Sequence, residues 1–466
     1  MAIRIFQHYW HLHLALLAVI EGVIFFLSPY AAATLRFNSQ SLAEEMLGPM
    51  LPRGLVFAGV LFVSLAAMGL YNSRQRSRLA GLIARVAASV FGGGMFITIL
   101  FYLFPTLHIG RGALLLSLAT AFGGSVIARV VFDTLVDEEI FKRRVLVYGA
   151  GRRAVSIARL RRRSDRRGFA VVGFVSAEGD EGADVPQAER LPTTVDLLTL
   201  CEKHRVDEIV VAMDDRRRRF PMEQLLECRL EGVEILELVS FLERETGKVR
   251  LDILNPSWMI FSEGFRQGRI HDTLERLFDI IASLVLLGLA APLMIATALA
   301  IKITEGPRAS IFYRQVRVGQ YGRPFRLLKF RSMREDAEKD GKAQWAQKND
   351  SRVTAIGAFT RLTRIDELPQ ILNVLRGEMS FVGPRPERPE FVEQLEEKIP
   401  YYRERHTIKP GITGWAQLCY PYGSSEQDAT EKLQYDLFYV KNHSLLFYLA
   451  ILVQTVEVIV WRKGAR

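Results

Sequence analysis

The chain has 466 residues, 49% of them hydrophobic and 24% charged, with a formal net charge of +10. That length allows two or three domains, and so high an apolar content argues against a purely soluble protein. The positive balance suits an anionic partner, either a phosphate-bearing substrate or the negative cytoplasmic leaflet, and nucleic acid is set aside once membrane spans are found.

Four apolar runs come first, at His13 to Leu35, Leu55 to Tyr71, Leu82 to Phe104 and Ala113 to Val136. Each approaches the ~20 residues needed to cross a bilayer, which predicts a four-helix transmembrane domain over residues 1–140. No short apolar core with a small-residue cleavage site follows Met1, so the N-terminus reads as a retained anchor. The Arg-rich connector Ser73-Arg74-Gln75-Arg76-Ser77-Arg78 and the stretch Phe141-Lys142-Arg143-Arg144 are placed in the cytoplasm by the positive-inside rule. Glu21 lies inside the first run, where an ionisable group needs a partner, and pairing between helices explains it. His8, His11 and His13 lack a matching acidic or cysteine cluster and read as interfacial packing. Cys201, Cys228 and Cys419 form no CxxC pair, which fits a reducing compartment.

An α/β segment, residues 141–262, follows. Val145 to Tyr148 reads as a buried strand leading into Gly149-Ala150-Gly151, a turn that would place backbone amides at a helix start, where they can cradle a phosphate. Strands at Ala170 to Val175, Glu208 to Ala212 and Val233 to Leu236 alternate with helices at Thr194 to His204 and Met222 to Glu231. The pattern predicts a Rossmann-like parallel sheet. A lone glycine turn is a weak nucleotide signal, with only Glu178 near the end of the second strand, so Gly149 and Gly151 stand as nucleotide-binding candidates beside a plain turn. Arg152 to Arg167 reads as an anion site or a solvated basic face.

After Arg269 comes an apolar run to Ile301, long enough to span. Its approach carries Arg266, Arg269 and Arg276 and its exit Lys302, Arg308, Arg314, Arg317 and Arg323, so both ends belong on one side. Pro292 interrupts the helical ladder near the middle. A kinked, re-entrant helix satisfies both, with Arg276 and Asp279 at the interface; a tilted fifth span is the other reading.

Four clusters follow: Phe325-Arg326-Leu327-Leu328-Lys329-Phe330-Arg331-Ser332-Met333; Arg361-Leu362-Thr363-Arg364-Ile365-Asp366-Glu367-Leu368-Pro369-Gln370; Phe381-Val382-Gly383-Pro384-Arg385-Pro386; and Lys409-Pro410-Gly411-Ile412-Thr413-Gly414-Trp415-Ala416-Gln417. Two neighbouring carboxylates among Lys and Arg suit a division of labour, one acting as nucleophile and the other holding a hard cation such as Mg²⁺. Asp-Glu before Leu-Pro can also simply open a helix, and Gly383 to Pro386 can be a plain turn.

These blocks resemble the signature of the bacterial polyprenyl-phosphate sugar phosphotransferases, the monotopic phosphoglycosyl transferases, over nearly everything from Arg269 onward. Arg276, Asp279 and the Pro292 helix match that family's membrane insertion. With the N-terminal bundle and α/β segment, the chain resembles the long, exopolysaccharide-initiating branch. Tyr420-Pro421-Tyr422-Gly423 and Lys432-Leu433-Gln434-Tyr435-Asp436 resemble the exosortase-associated form. The resemblance implies an α-rich monotopic catalytic domain over residues 263–466, on the cytoplasmic face of the bacterial inner membrane.

By the same resemblance Asp366 is the nucleophile and Glu367 the Mg²⁺ ligand. Asp366 attacks a nucleotide diphosphate sugar, a UDP-hexose by expectation; UMP leaves, and undecaprenyl phosphate takes the sugar 1-phosphate from the aspartyl intermediate. Lys329, Arg361 and Arg385 are expected to neutralise phosphates, Pro384 and Pro386 to aim Arg385, and Arg331, Arg364 and Asp436 to act in second rank. Trp415 reads as packing or an interfacial anchor. Membrane lipids and a second copy in a homodimer are the remaining expected partners.

Two departures stand out. Ala291 precedes Pro292 where many relatives have serine, and Leu418-Cys419-Tyr420-Pro421 replaces an Asn-Gly-Arg stretch, so sugar preference cannot be borrowed. A membrane-anchored dehydratase or epimerase would need a tyrosine with lysine four residues on, which none of the 14 tyrosines has. Asp-x-Asp, the mark of a processive metal-dependent glycosyltransferase, is absent too. A membrane sensor or assembly scaffold with a non-catalytic transferase-like domain is the non-enzyme alternative.

Overall fold

A computed structural model describes residues 2–5, 8–37, 45, 48–68, 70–71, 79–135, 142–160, 168–178, 180, 185–215, 220–254, 256–262, 264–265, 268–334, 352–420, 423 and 425–461. The connector 73–78, Phe141, residues 161–167, Arg266 and Pro421 to Tyr422 lie outside that set, as do the side chains of His8, His11, His13 and Arg269. Contacts divide the chain into two compact units, one built on Met1–Gly247 and the other on Lys248–Thr455.

In the first unit, Ala2–Ile5 (β1) pairs antiparallel with His8–His11 (β2). The four apolar runs form α1 (Leu12–Phe37), α2 (Met50–Ala67), α3 (Leu79–Leu103) and α4 (Arg111–Leu135). All four are long and apolar enough to cross a bilayer. Phe25, Phe57, Leu61, Val86, Ile97 and Ala121 pack inward, while Val63, Phe91, Leu115 and Ile127 are exposed on the outer faces, where lipid tolerates them. Glu21 is fully buried in α1. Arg129 of α4 binds it bidentately, donating Nε and Nη2 each at 2.7 Å, and Ser125 adds a hydroxyl donor. A carboxylate that would be prohibitive alone is thereby neutralised by a partner one helix away.

The same unit contains a five-stranded parallel sheet, ordered β5-β4-β3-β6-β7. Its elements are β3 (Arg143–Tyr148), α5 (Arg152–Ala158), β4 (Phe169–Val175), β5 (Arg190–Leu191), α6 (Leu197–His204), β6 (Glu208–Val211), α7 (Met222–Leu230), β7 (Glu234–Glu237) and α8 (Leu238–Thr246). Central strands β3 and β6 bury continuous runs rather than alternating ones, because helices cover both faces of a parallel sheet.

The second unit opens with α9 (Pro256–Phe261) and the 37-residue α10 (Arg269–Glu305). Helix α10 is also long and apolar enough to cross a bilayer, and it runs on through Pro292. Then follow the antiparallel hairpin β8 (Phe312–Val318) and β9 (Pro324–Phe330), α11 (Ala355–Leu362), a 3₁₀ turn at Ile365–Glu367, and α12 (Gln370–Arg376). Strand β10 (Ser380–Val382) and α13 (Pro389–Lys398) precede a second 3₁₀ segment, Tyr402–Thr407. After it come β11 (Gly411–Thr413), α14 (Trp415–Cys419), α15 (Glu426–Asn442) and α16 (Leu445–Trp461). Strands β10 and β11 pair in parallel, which sets the third and fourth sequence clusters side by side.

Candidate active site

Lys329 projects from β9, and the strand's free edge is held by one side chain. Asn373 of α12 is completely buried; its Oδ1 accepts from the Leu328 amide at 3.0 Å, and its Nδ2 donates to the Arg326 carbonyl at 2.8 Å and to Glu378 at 2.7 Å. A buried amide with its hydrogen bonds made is a specific clamp, because leaving any of them unmade is costly. It ties the strand carrying Lys329 to the helix that directly follows Asp366 and Glu367.

Between α11 and α12 the chain reverses at Arg364, which takes a left-handed conformation (φ +58°) at a position after a helix end that usually goes to glycine. This turn leaves Arg364 exposed and Asp366 buried. Among the described residues, Asp366 Oδ1 is buried without a hydrogen-bond partner. Burial pushes the Asp366 carboxyl above the usual aspartate range, while Lys329, Arg361 and Arg364 partly oppose that rise and Glu367 adds to it.

Glu367 has the opposite character. Lys329 Nζ lies 2.9 Å from its Oε1, Arg385 Nη2 3.4 Å and Arg364 Nη1 3.7 Å. Burial alone would raise its pKa, but these cations outweigh it and bring the carboxyl down to about 2. Burial in turn pulls the Lys329 ammonium below the usual lysine range, with Glu367 resisting. Adjacent carboxylates are thus split, one firmly ionised and the other desolvated and more basic.

Arg385 is aimed by backbone crowding. A Cβ on Gly383 would stand 2.3 Å from the Lys409 carbonyl oxygen and 2.8 Å from the Gly411 nitrogen, so only glycine lets the loop after β10 lie against the loop before β11. The Arg385 carbonyl accepts from Arg405 Nη2 at 3.0 Å; Arg405 also donates to Tyr402 at 2.7 Å and pairs with Asp436 at 2.8 Å. Asp436, a second-rank candidate, lies buried against Arg405, which in turn donates to the Arg385 carbonyl.

Arg361 donates from Nε to Ser332 at 2.9 Å, which joins the first and second clusters. The Arg331 amide donates to the Ile311 carbonyl at 2.9 Å. Arg276 donates to the Val374 and Leu375 carbonyls, each at 2.6 Å, closing the C-terminal end of α12. Asp279 is buried and accepts from Tyr448 at 2.6 Å, from Ser380 at 3.2 Å and from the Phe381 amide at 3.3 Å. Pro292 is exposed on α10. Trp415 stacks edge-on against Phe447 at 5.2 Å, a packing role.

Gly149 has φ +126°, and a Cβ there would meet the Ala212 carbonyl oxygen at 2.6 Å, so its conformation serves the passage from β3 to α5. The amides of that turn face acids of the same unit. Arg152 and Arg153 each donate to Asp214 at 2.9 Å, Ala150 donates to Asp180 at 2.7 Å, and a Cβ on Gly151 would collide with Asp214. The amides of the turn are thus taken up by Asp180 and Asp214.

Asn373, Arg405 and Arg129 were missed in sequence. Asn373 left a faint signal, a single amide inside Ile371-Leu372-Asn373-Val374-Leu375; Arg405, among the charges of Arg403-Glu404-Arg405-His406, left none. A buried Asp366 oxygen with no hydrogen-bond partner among the described residues, beside an ionised Glu367, is a hard donor set, and it fits Mg²⁺, which takes one or two carboxylates and fills its shell with water and phosphate oxygens.

Residues 270–462 match the family described as bacterial sugar transferase. A UDP-N-acetylgalactosamine-undecaprenyl-phosphate N-acetylgalactosaminephosphotransferase of Aeromonas hydrophila is 39% identical over 56% of this chain and 61% of its own length. A UDP-glucose:undecaprenyl-phosphate glucose-1-phosphate transferase of Klebsiella pneumoniae is 34% identical over 68% and 67%. An undecaprenyl-phosphate glucose phosphotransferase of Komagataeibacter xylinus is 30% identical over 91% and 80%. The chain therefore spans less than two thirds of the Aeromonas protein and four fifths of the Komagataeibacter one.

Proposed function

The chain belongs to the bacterial sugar transferase family of polyprenyl-phosphate sugar phosphotransferases, and from that premise we propose that it moves a sugar 1-phosphate from a nucleotide diphosphate sugar to undecaprenyl phosphate. A UDP-hexose is the donor in this reading, which the name of the Klebsiella relative supports, while the Aeromonas relative is named for an N-acetylated hexosamine donor. The observation that carries the proposal is the convergence of Lys329, Arg364 and Arg385 on Glu367, beside a buried Asp366 whose Oδ1 has no hydrogen-bond partner among the described residues.

Asp366, desolvated and more basic than a surface aspartate, attacks the phosphorus that bears the sugar. A phosphorus–oxygen bond forms to its carboxylate as the bond to UMP breaks. An oxygen of the lipid phosphate then attacks the same phosphorus and releases the carboxylate, leaving a polyprenyl diphosphate sugar. Lys329 and Arg385 offset the charge on the equatorial oxygens, with Arg361 and Arg364 at the rim. Glu367, with Asp366 beside it, would hold Mg²⁺, which when bound adds positive charge at the diphosphate.

Contacts to α12 support the topology in this reading. Arg276, before the apolar part of α10, binds the carbonyls of Val374 and Leu375, and Leu328, well beyond it, binds Asn373. Residues on either side of the apolar stretch therefore grip neighbouring residues of one short helix. A full crossing would set them ~30 Å of hydrocarbon apart, and the return through Arg308, Arg314, Arg317 and Arg323 is not apolar. A re-entrant α10 bent within one leaflet, on the cytoplasmic face of the inner membrane, meets that constraint and brings the soluble donor to the lipid acceptor. In this reading the parallel-sheet domain is Rossmann-like in form and structural in role, its glycine turn closed by Asp180 and Asp214.

The test uses purified full-length protein with labelled UDP-hexoses, undecaprenyl phosphate and Mg²⁺. Release of UMP matched by lipid-linked sugar is expected, with both lost in Asp366→Asn and a phosphosugar adduct detectable on intact wild-type protein. Unchanged product formation by Asp366→Asn would overturn the nucleophile assignment.

A further inference from the structure

Away from the phosphate site, three metal-ligating side chains converge near the start of α10. His271 and Glu275 lie four residues apart on one face of that helix, and His443, the residue that ends α15, closes on them. His271 Nε2 is 3.3 Å from His443 Nδ1 and 3.7 Å from Glu275 Oε2, and one ligand atom from each residue lies within 4.8 Å of the others. A tetrahedral ion with bonds of ~2.0–2.1 Å sets its ligand atoms roughly 3.3 Å apart, close to the 3.3 Å and 3.7 Å seen from His271 Nε2; an ion bound through His443 Nδ1 would draw Glu275 Oε2 away from its contact with His443 Nε2. The side chains are 21%, 13% and 4% exposed, in the order His271, Glu275, His443, which leaves an open approach from the first two.

Supporting contacts resemble those of ligands held in place. Glu275 Oε1 lies 3.1 Å from Ser380 Oγ, whose single hydroxyl proton it shares with Asp279, and His443 is stacked edge-on against Tyr439 at 4.9 Å. Without an ion, a shared proton accounts for the contact between the two rings, and His443 Nε2 lies 3.1 Å from Glu275 Oε2. An ion would take the place of that shared proton. Two imidazoles and one carboxylate select zinc-class ions over Mg²⁺, whose preference is for oxygen alone.

We propose that His271, Glu275 and His443 form a site for a divalent first-row transition ion of the zinc class, distinct from the hard-oxygen pair Asp366 and Glu367. The ion ties the membrane helix to the end of α15 and, through Glu275 and Ser380, to the strand that leads to Arg385. Its role is to hold these elements as one body, and it takes no part in transfer.

Tag-free full-length protein in detergent, stripped with chelator, is reloaded with zinc, desalted and assayed for metal by mass spectrometry. One zinc per chain is expected to persist against excess Mg²⁺ and to raise the unfolding temperature. A chain with His8, His11 and His13 changed to glutamine should behave identically, whereas His271→Gln and Glu275→Gln should bind at least about tenfold more weakly. Cobalt loaded into the unsubstituted chain gives a readout that needs no variant: the intense visible bands of four-coordinate Co²⁺ support the site. No retained zinc, equal retention by the His271 and Glu275 variants, or a weak octahedral cobalt spectrum would overturn it. None of these readouts involves turnover, so their failure leaves the transferase reading intact.

Discussion

Replacing Asp436 with asparagine separates support of the phosphate site from contact with substrate. Arg405 and Asp436 side chains are 6% and 4% exposed, and Arg405 meets the carboxylate through Nε at 3.1 Å and Nη2 at 2.8 Å. Removing one charge of a buried pair strands the other and costs about 3–5 kcal/mol. Asparagine can still accept one bond, and Tyr402 and the Arg385 carbonyl remain, so the lower end applies, about 3 kcal/mol. At ~2–4 °C per kcal/mol for a domain of this size, the unfolding temperature should fall by about 6–12 °C, measured by scanning fluorimetry in detergent. A double change, Arg405→Met with Asp436→Leu, removes both charges and should recover most of that loss. It also leaves the Arg385 carbonyl without its donor, so transfer should stay at least about tenfold down, as expected for a misplaced phosphate-binding group. Wild-type stability in Asp436→Asn, or full turnover in the double variant, would refute this account of Arg385.

Two further outcomes are expected. Gly383→Ala should fail to accumulate as folded protein, because its Cβ would meet backbone atoms of Lys409 and Gly411 that cannot swing away; expression and gel filtration report it, and a soluble, active Gly383→Ala would contradict the packing. The pH response has a definite sign on each limb. Glu367, at about 2 against an ordinary 4.5, contributes stability that is complete above pH 4.5 and lost as pH falls toward 2. Glu367→Gln should therefore be about 3 kcal/mol less stable at neutral pH and show a shallower acid decline in melting scans. Asp366 must be ionised to attack and its pKa is raised, so single-turnover transfer should rise with pH above the usual aspartate range; Lys329→Arg should move the alkaline limb upward, because the lysine's own value is lowered.

Periodicity was enough for the long apolar helices and for four strands of the parallel sheet, and it did not register the strands β8 to β11 or the helices α11 to α15. Runs of ~20 apolar residues can only be satisfied by helices in lipid, and short apolar runs between turn residues gave strands β3, β4, β6 and β7 close to where the structure has them. Two-residue β5 and the helix after β7 were too short or too closely joined to register as separate signals. Pro292 illustrates the limit of a local rule: proline removes one hydrogen bond from α10, yet the helix continues through it.

For the candidate site, sequence alone determined which residue types were available: two adjacent carboxylates, a lysine on a strand, and an arginine between prolines. Local chemistry is written in local order, so those could be named from their clusters. Tertiary structure decided what each one faces. Lys329 and Arg385 meet at Glu367 from separate segments, Asp436 turns to Arg405, and Asp180 and Asp214 close the glycine turn. Those outcomes depend on burial and on partners far along the chain, and the charge state of a carboxylate is set by exactly such neighbours rather than by the residues beside it in sequence.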